Sequence, residues 1–266
     1  MKTELAILWI ALGAPGLGQG SAATASTGTK TPQYEVVSIK PAKTGSNSNS
    51  WQTLRDGFQI RNMPLQSLVY DAYDIIMDSQ VSGMPGWAET DPYDVDAKVD
   101  AETAESWKNL PYEERDKLEQ PMLRALLADR CQFKAHEVTK EEPVYDLVIA
   151  KSGLKMKEAP TEQKGSMTMM YGKGYAITAH AATISVIVEN LPESAGRLIV
   201  DKTGLGEKKF DFELKWTPDE QRAADPANAG PSLFTALEEQ LGLKLVPSKG
   251  PVQVLVIDHM ERPSAN

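Results

Sequence analysis

The feature that most constrains this chain is a phrase written twice. Pro143-Val-Tyr-Asp-Leu-Val-Ile149 returns 108 residues later as Pro251-Val-Gln-Val-Leu-Val-Ile257. Both copies are apolar, rich in β-branched residues and opened by proline, which is the composition of a strand. Other blocks repeat around them in the same order. Tyr175-Ala-Ile-Thr178 follows Phe58-Gln-Ile-Arg61 at a separation of 117, and Phe210-Asp-Phe-Glu-Leu-Lys-Trp216 follows Tyr93-Asp-Val-Asp-Ala-Lys-Val99 at the same separation. Leu233-Phe-Thr-Ala-Leu237 answers Met122-Leu-Arg-Ala-Leu126 at 111. Constant order with drifting separation predicts two copies of one unit that differ in loop length. A single copy would leave a sheet face bare, so the two are expected to pack together or share a sheet. The expected fold is α+β: two duplicated β-α-β-α-β-β modules, residues 34–159 and 160–266, with mainly antiparallel sheets and helices on one face.

Within each copy the local signals are specific. Tyr34 to Pro41 reads as a strand closed by proline, and GSNSNS after it as a flexible loop. Leu65, Leu68, Val69, Ala72 and Tyr73 recur at helical spacing behind Pro64. The segment from Tyr93 to Val99 alternates apolar and charged residues, the mark of a strand with one wet face. A charged helix is expected over 112–129, kinked or restarted at Pro121. Strands are expected over 131–138 and 144–150 with a turn at 139–143 between them. A helix is expected over 181–189.

The first residues place Lys2 before an apolar run, Leu5 to Leu12, that ends in small residues at Ala23-Thr-Ala25. This is the layout of a cleaved secretory signal, residues 1–25, and a polar stretch, 26–33, then reads as a disordered linker. The expectation is a secreted or periplasmic protein with no membrane span once the signal is removed. A net charge of −9 and a pI near 5.0 argue against nucleic acid and anionic membrane surfaces as partners. Cys131 is the single cysteine, so no internal disulfide can form, and its apolar neighbours predict a buried, inert thiol.

Chemistry is hard to find. His136, His180 and His259 are far apart in sequence and no paired cysteines exist, so there is no zinc signature and no cofactor is expected. His136 and His259 fall in or beside the closing strands of the two copies and could approach each other. Asp94 and Asp96 share one strand face, as do Asp211 and Glu213; such pairs can do acid and base work or bind a hard cation. Lys98 and Lys215 continue those faces, which equally fits a solvated surface opposite a core. No nucleophile elbow or related serine motif is present. Contact surfaces are easier to place: Ser46 to Trp51 joins adaptable polar groups to an aromatic, and Met167-Thr-Met-Met-Tyr171 joins soft apolar groups to another.

The blocks YEVVSIKP (34–41), FQIRNMPLQSLVYDAYDI (58–75), SGMPGWAETDPYDVDAK (82–98), LRALLADRCQFKAH (123–136), EEPVYDLVIAKSGLKMKEA (141–159), VDKTGLGEKKFDFELKWTPD (200–219) and 233–266 together resemble an acidobacterial-type secreted family, a domain of unknown function. In some relatives that domain is joined to a penicillin-sensor-type membrane metallopeptidase. The resemblance implies an exported protein and carries no catalytic residues to this chain. Cys131 and Pro121 depart from the usual pattern of the family.

Together these readings predict an exported cell-envelope protein with a binding, interaction or sensor-like role, its partner an envelope protein or a small envelope ligand. The alternative is an envelope hydrolase acting on peptide or glycan through Asp94, Asp96 and a histidine.

Overall fold

The computed structural model describes residues 33–43 and 48–264. The expected signal, all but the last residue of the expected linker, and Ser46 and Asn47 lie outside the described residues. Pro32–Asn266 makes one compact unit. Its strands are β1 (Val36–Pro41), β2 (Ser50–Leu54), β3 (Gly57–Pro64), β4 (Val81–Ser82), β5 (Pro92–Lys98), β6 (Lys134–Ile149), β7 (Lys157–Ala159), β8 (Ser166–Tyr171), β9 (Tyr175–Ala182), β10 (Ile199–Asp201), β11 (Lys209–Trp216) and β12 (Leu243–His259). Its helices are α1 (Gln66–Ala72), α2 (Gly86–Thr90), α3 (Ala101–Trp107), α4 (Tyr112–Cys131), α5 (Ser185–Asn190), α6 (Pro192–Ala195), α7 (Asp219–Ala224) and α8 (Leu233–Ala236), the last continued by a wider helical turn, Leu237–Leu241.

These elements make an α+β fold of three four-stranded sheets. One outer sheet has the order β1-β5-β3-β2 and the other β7-β11-β9-β8, and every pairing in them is antiparallel. The sheet between them has the order β10-β6-β12-β4. Its two long strands run antiparallel, from Leu243 opposite Ile149 to Ile257 opposite Ala135. Short β4 lies parallel to β12, and short β10 lies parallel to β6.

The turn expected at 139–143 is absent, because β6 passes straight through it. Prolines explain both the expectation and its failure. The Tyr145 N–H donates to Leu198 and the Leu147 carbonyl accepts from Lys202, so alternate residues of β6 turn their backbone away from β12. Pro143 shares that direction. So do Pro247, opposite Tyr145, and Pro251, opposite Glu141. All three prolines therefore sit where no bond of the central ladder is lost.

One helix occupies its expected span and another starts late. α4 runs unbroken through Pro121, which starts no second helix. The helix expected over 181–189 begins only at Ser185, because Ala182 is still paired with Phe210 in the sheet. The β-branched Thr183 and Ile184 separate the two elements, consistent with their weak helix preference.

Two cores flank the central sheet. The first gathers Ile39, Phe58, Ile60 and Val95 of one outer sheet, Leu68 and Val69 of α1, Leu123 and Leu127 of α4, and Leu255 and Ile257 of β12. The second gathers Ile177, Phe210 and Leu214 of the other outer sheet, Ile187 of α5, Ala236 of α8, and Leu147, Leu243 and Leu245 of the central strands. Cys131 is fully buried in the first, and burial pushes its thiol up to about 12, which leaves it inert at neutral pH.

Candidate functional site

The strand carboxylates are tied to backbone and cations. Register between β3 and β5 breaks between Ile60 and Met63, and there Asn62 takes a left-handed conformation at φ +53°. The Asp94 carboxylate accepts the Asn62 N–H at 2.9 Å. The same device recurs between β9 and β11. Ala181 has φ +45° beside a register shift, and Asp211 accepts its N–H at 2.9 Å. A β-bulge leaves one residue out of the ladder, and a carboxylate from the facing strand satisfies it here. Asp94→Ala and Asp211→Ala are each expected to lower stability by about 1–3 kcal/mol in urea unfolding, since each strands a bulge N–H.

Asp96 accepts from Gln59 and Arg61, both at 2.7 Å. Partial burial works to raise its pKa, but the Arg61 and Gln59 hydrogen bonds together hold it below the ordinary carboxylate value. Glu213 pairs with Lys215 at 2.7 Å on an exposed face. The two strand-end histidines are held by separate carboxylates: His136 by Asp258 at 2.9 Å and His259 by Glu261 at 2.8 Å. Trp51 lies in β2 rather than in a loop, stacked on Phe58 with ring centroids 5.5 Å apart, half-buried over the first core. Among the described residues, no group of three or more His, Cys, Asp and Glu is placed to hold a metal ion.

A second acidic group lies between α1 and α4. Burial, and then the neighbouring Asp116, Glu119 and Asp74, push Asp71 up to about 6. Burial likewise raises Glu119, against the pull of Arg115, which bonds it at 2.8 Å. The unfolded Asp71 titrates near 3.8, so its contribution to stability is complete below that pH and is lost as pH rises through about 6. Asp71→Asn is therefore expected to raise stability by about 1–2 kcal/mol at pH 7.5 and to change it little at pH 3.5, read from melts at both pH values.

An open concavity lies elsewhere, at the end of the second outer sheet. It is a cavity of about 360 Å³ lined by Met170 and Tyr171 of β8, the hairpin Gly172 to Gly174, Tyr175 and Ala176 of β9, Lys215 and Trp216 of β11, and Thr217, Gly230 and Pro231. Three aromatic rings form its wall by edge-to-face contact: Tyr171 to Tyr175 at 5.0 Å and Tyr175 to Trp216 at 5.6 Å between centroids. The rim is fixed by hydrogen bonds. Thr217 donates its N–H to Pro231 and accepts the Gly230 N–H, and the Gln221 amide of α7 donates to the Gly172 carbonyl.

Trp216 is 3% exposed, and its indole N–H has no hydrogen-bond partner among the described residues. A buried donor without an acceptor costs about 1–3 kcal/mol, and the Tyr34 hydroxyl and Arg222 Nε are left in the same way. Beside it, Met170 and Tyr171 are 65% and 68% exposed, unusual for large apolar side chains. The cavity thus combines aromatic walls with two lysines. That suits binding.

Of the residues marked from sequence, only Met170 and Tyr171 enter this site. Tyr175, Trp216 and Lys173 were missed. Tyr175 stands opposite both Tyr171 and Trp216 in the sheet register. The three aromatics at strand ends were legible, but their convergence depends on a register that sequence alone does not set.

No curated protein and no solved structure matches the chain. The family model described as Protein of unknown function (DUF3738) matches residues 66–260, from α1 to just past β12, and the chain belongs to that family.

Proposed function

We propose that this chain is an exported cell-envelope protein that works by binding, as a non-enzymatic interaction module, with the end of the second outer sheet as its contact site. The carrying observation is the open aromatic concavity walled by Tyr171, Tyr175 and Trp216, beside the exposed Met170 and Tyr171. Export is supported by the arrangement of Lys2, the apolar run from Leu5 to Leu12 and Ala23-Thr-Ala25. A sensor-like role, in which occupancy of this site is reported to a partner, belongs to the same proposal.

Two related modules arising from duplication form part of this reading. Its support is topological. The outer-sheet orders β1-β5-β3-β2 and β7-β11-β9-β8 are the same order six strands apart. Asp94 with Asn62 and Asp211 with Ala181 repeat one bulge device. In the central sheet each copy lends its short strand to the long strand of the other, β4 to β12 and β10 to β6. Divergence after duplication would leave one copy with the cavity and the other with Trp51 folded over its core.

The test is recovery of crosslinked partners from isolated envelopes of the native host by tagged chain 26–266. A specific partner retained by the wild type and lost in Met170→Lys/Tyr171→Ser, with an unchanged melting curve, is the expected result. An identical set of adducts from both proteins would contradict the proposed site.

A further inference from the structure

Among the described residues β8 is the outermost strand of its sheet and pairs only with β9, so one row of its backbone N–H and C=O groups faces away from the sheet. Soluble proteins ordinarily blunt such an edge with a lysine, a proline or a bulge. Ser166-Met-Thr-Met-Met-Tyr171 has no charge and no proline, and its register with β9 is unbroken. Met167 is 40% exposed in addition to Met170 and Tyr171. A regular, uncharged, apolar edge is a hazard to a free protein and an asset to one that takes a strand from a partner. The strand leads into the cavity, where the only charged lining groups are Lys173 and Lys215. Lys215 is held by Glu213, whereas Lys173 makes no ion pair among the described residues.

Resting on the binding role proposed above, we infer that β8 accepts an extended peptide segment of a partner protein as a fifth strand. One bulky apolar side chain of that segment fills the cavity against Tyr171 and Trp216, and an acidic side chain lies beside Lys173. Main-chain hydrogen bonds supply affinity, and the cavity and the lysine supply selection. A chain with net charge −9 would by itself favour basic peptides, so an acidic preference can come only from the local lysine.

The experiment screens a displayed library of linear heptapeptides against the intact protein, then measures the selected peptide by fluorescence anisotropy. The expected consensus alternates apolar residues and carries Asp or Glu next to a large apolar side chain. N-methylation of one set of alternate backbone amides should weaken binding at least tenfold, and methylation of the other set should not. Met170→Lys and Lys173→Glu should each weaken it at least tenfold with an unchanged melting temperature. Equal binding of both methylated peptides would overturn strand addition. So would no enriched sequence, or self-association by sedimentation that Met170→Lys abolishes, which would make a second copy the occupant. If envelope crosslinking through Met170 survives any of these results, the binding role stands and the peptide inference alone fails; if neither is seen, both fail.

Discussion

Gly242→Ala is expected to lower stability by about 3–4 kcal/mol and the melting temperature by roughly 10 °C. Gly242 links the helical turn Leu237–Leu241 to β12 and holds φ +69°, where an alanine is strained by about 1–2 kcal/mol. The larger effect is contact. A Cβ there would stand 1.9 Å from the Gly153 carbonyl oxygen and 3.0 Å from the Lys155 amide nitrogen. Those atoms cannot retreat freely. Lys155 donates its N–H to Leu241 and its ammonium to the Glu238 and Glu239 carbonyls, while the Gly242 carbonyl accepts from Ala150. Urea unfolding of the variant checks this, and a loss under about 1 kcal/mol would show that the chain crossing is looser than described.

Phe210→Ala is expected to cost about 3–5 kcal/mol, the range for deleting a buried ring that leaves a cavity behind. Phe210 is 1% exposed in the core shared by the second outer sheet and the central strands. Since β6 and β12 pair along nearly their whole length and β12 also contributes Leu255 and Ile257 to the first core, damage on one side should be felt on the other. The variant should therefore unfold in one transition at lower urea concentration. Two separated transitions, with the first outer sheet unaffected, would contradict the shared central sheet.

Strands with alternating faces were the most legible part of this chain. β5 and β11 each place apolar side chains inward and carboxylates and lysine outward, and the sequence period states this directly. Helix α1 was legible for the same reason at its own period. The central strands were legible only in part: both Pro-Val phrases read as strands, but their continuation past the prolines did not, because a proline reads as a break unless its backbone direction is known, and direction follows from pairing register. Asp94 and Asp211 were visible as carboxylates on strands. Their attachment to a left-handed residue on the neighbouring strand was not: Asn62 can adopt a positive φ but lies within an apparent strand, and Ala181 does not favour one. Trp51 read as part of a contact loop and sits instead on Phe58. Of the cavity, sequence displayed the soft stretch Met167 to Tyr171 and nothing of Trp216, which read as the last inward residue of an ordinary strand.

That division bears on function. The carboxylates and histidines best suited to catalysis by type are held in bulges and exposed hydrogen-bonded pairs, whereas the aromatic cavity, ordinary by residue type, opens beside exposed apolar side chains. The proposed binding role rests on this exposed aromatic and apolar surface rather than on which polar groups are present.

The most direct measurement replaces Met170 with a photo-crosslinking phenylalanine and, in a second protein, replaces Val36, which is 55% exposed on the edge strand β1 of the other outer sheet. Irradiation with native envelopes should give one dominant adduct from position 170 and none from position 36. Matching adducts from both positions, or adducts from position 36 alone, would contradict a contact site at the end of the second outer sheet.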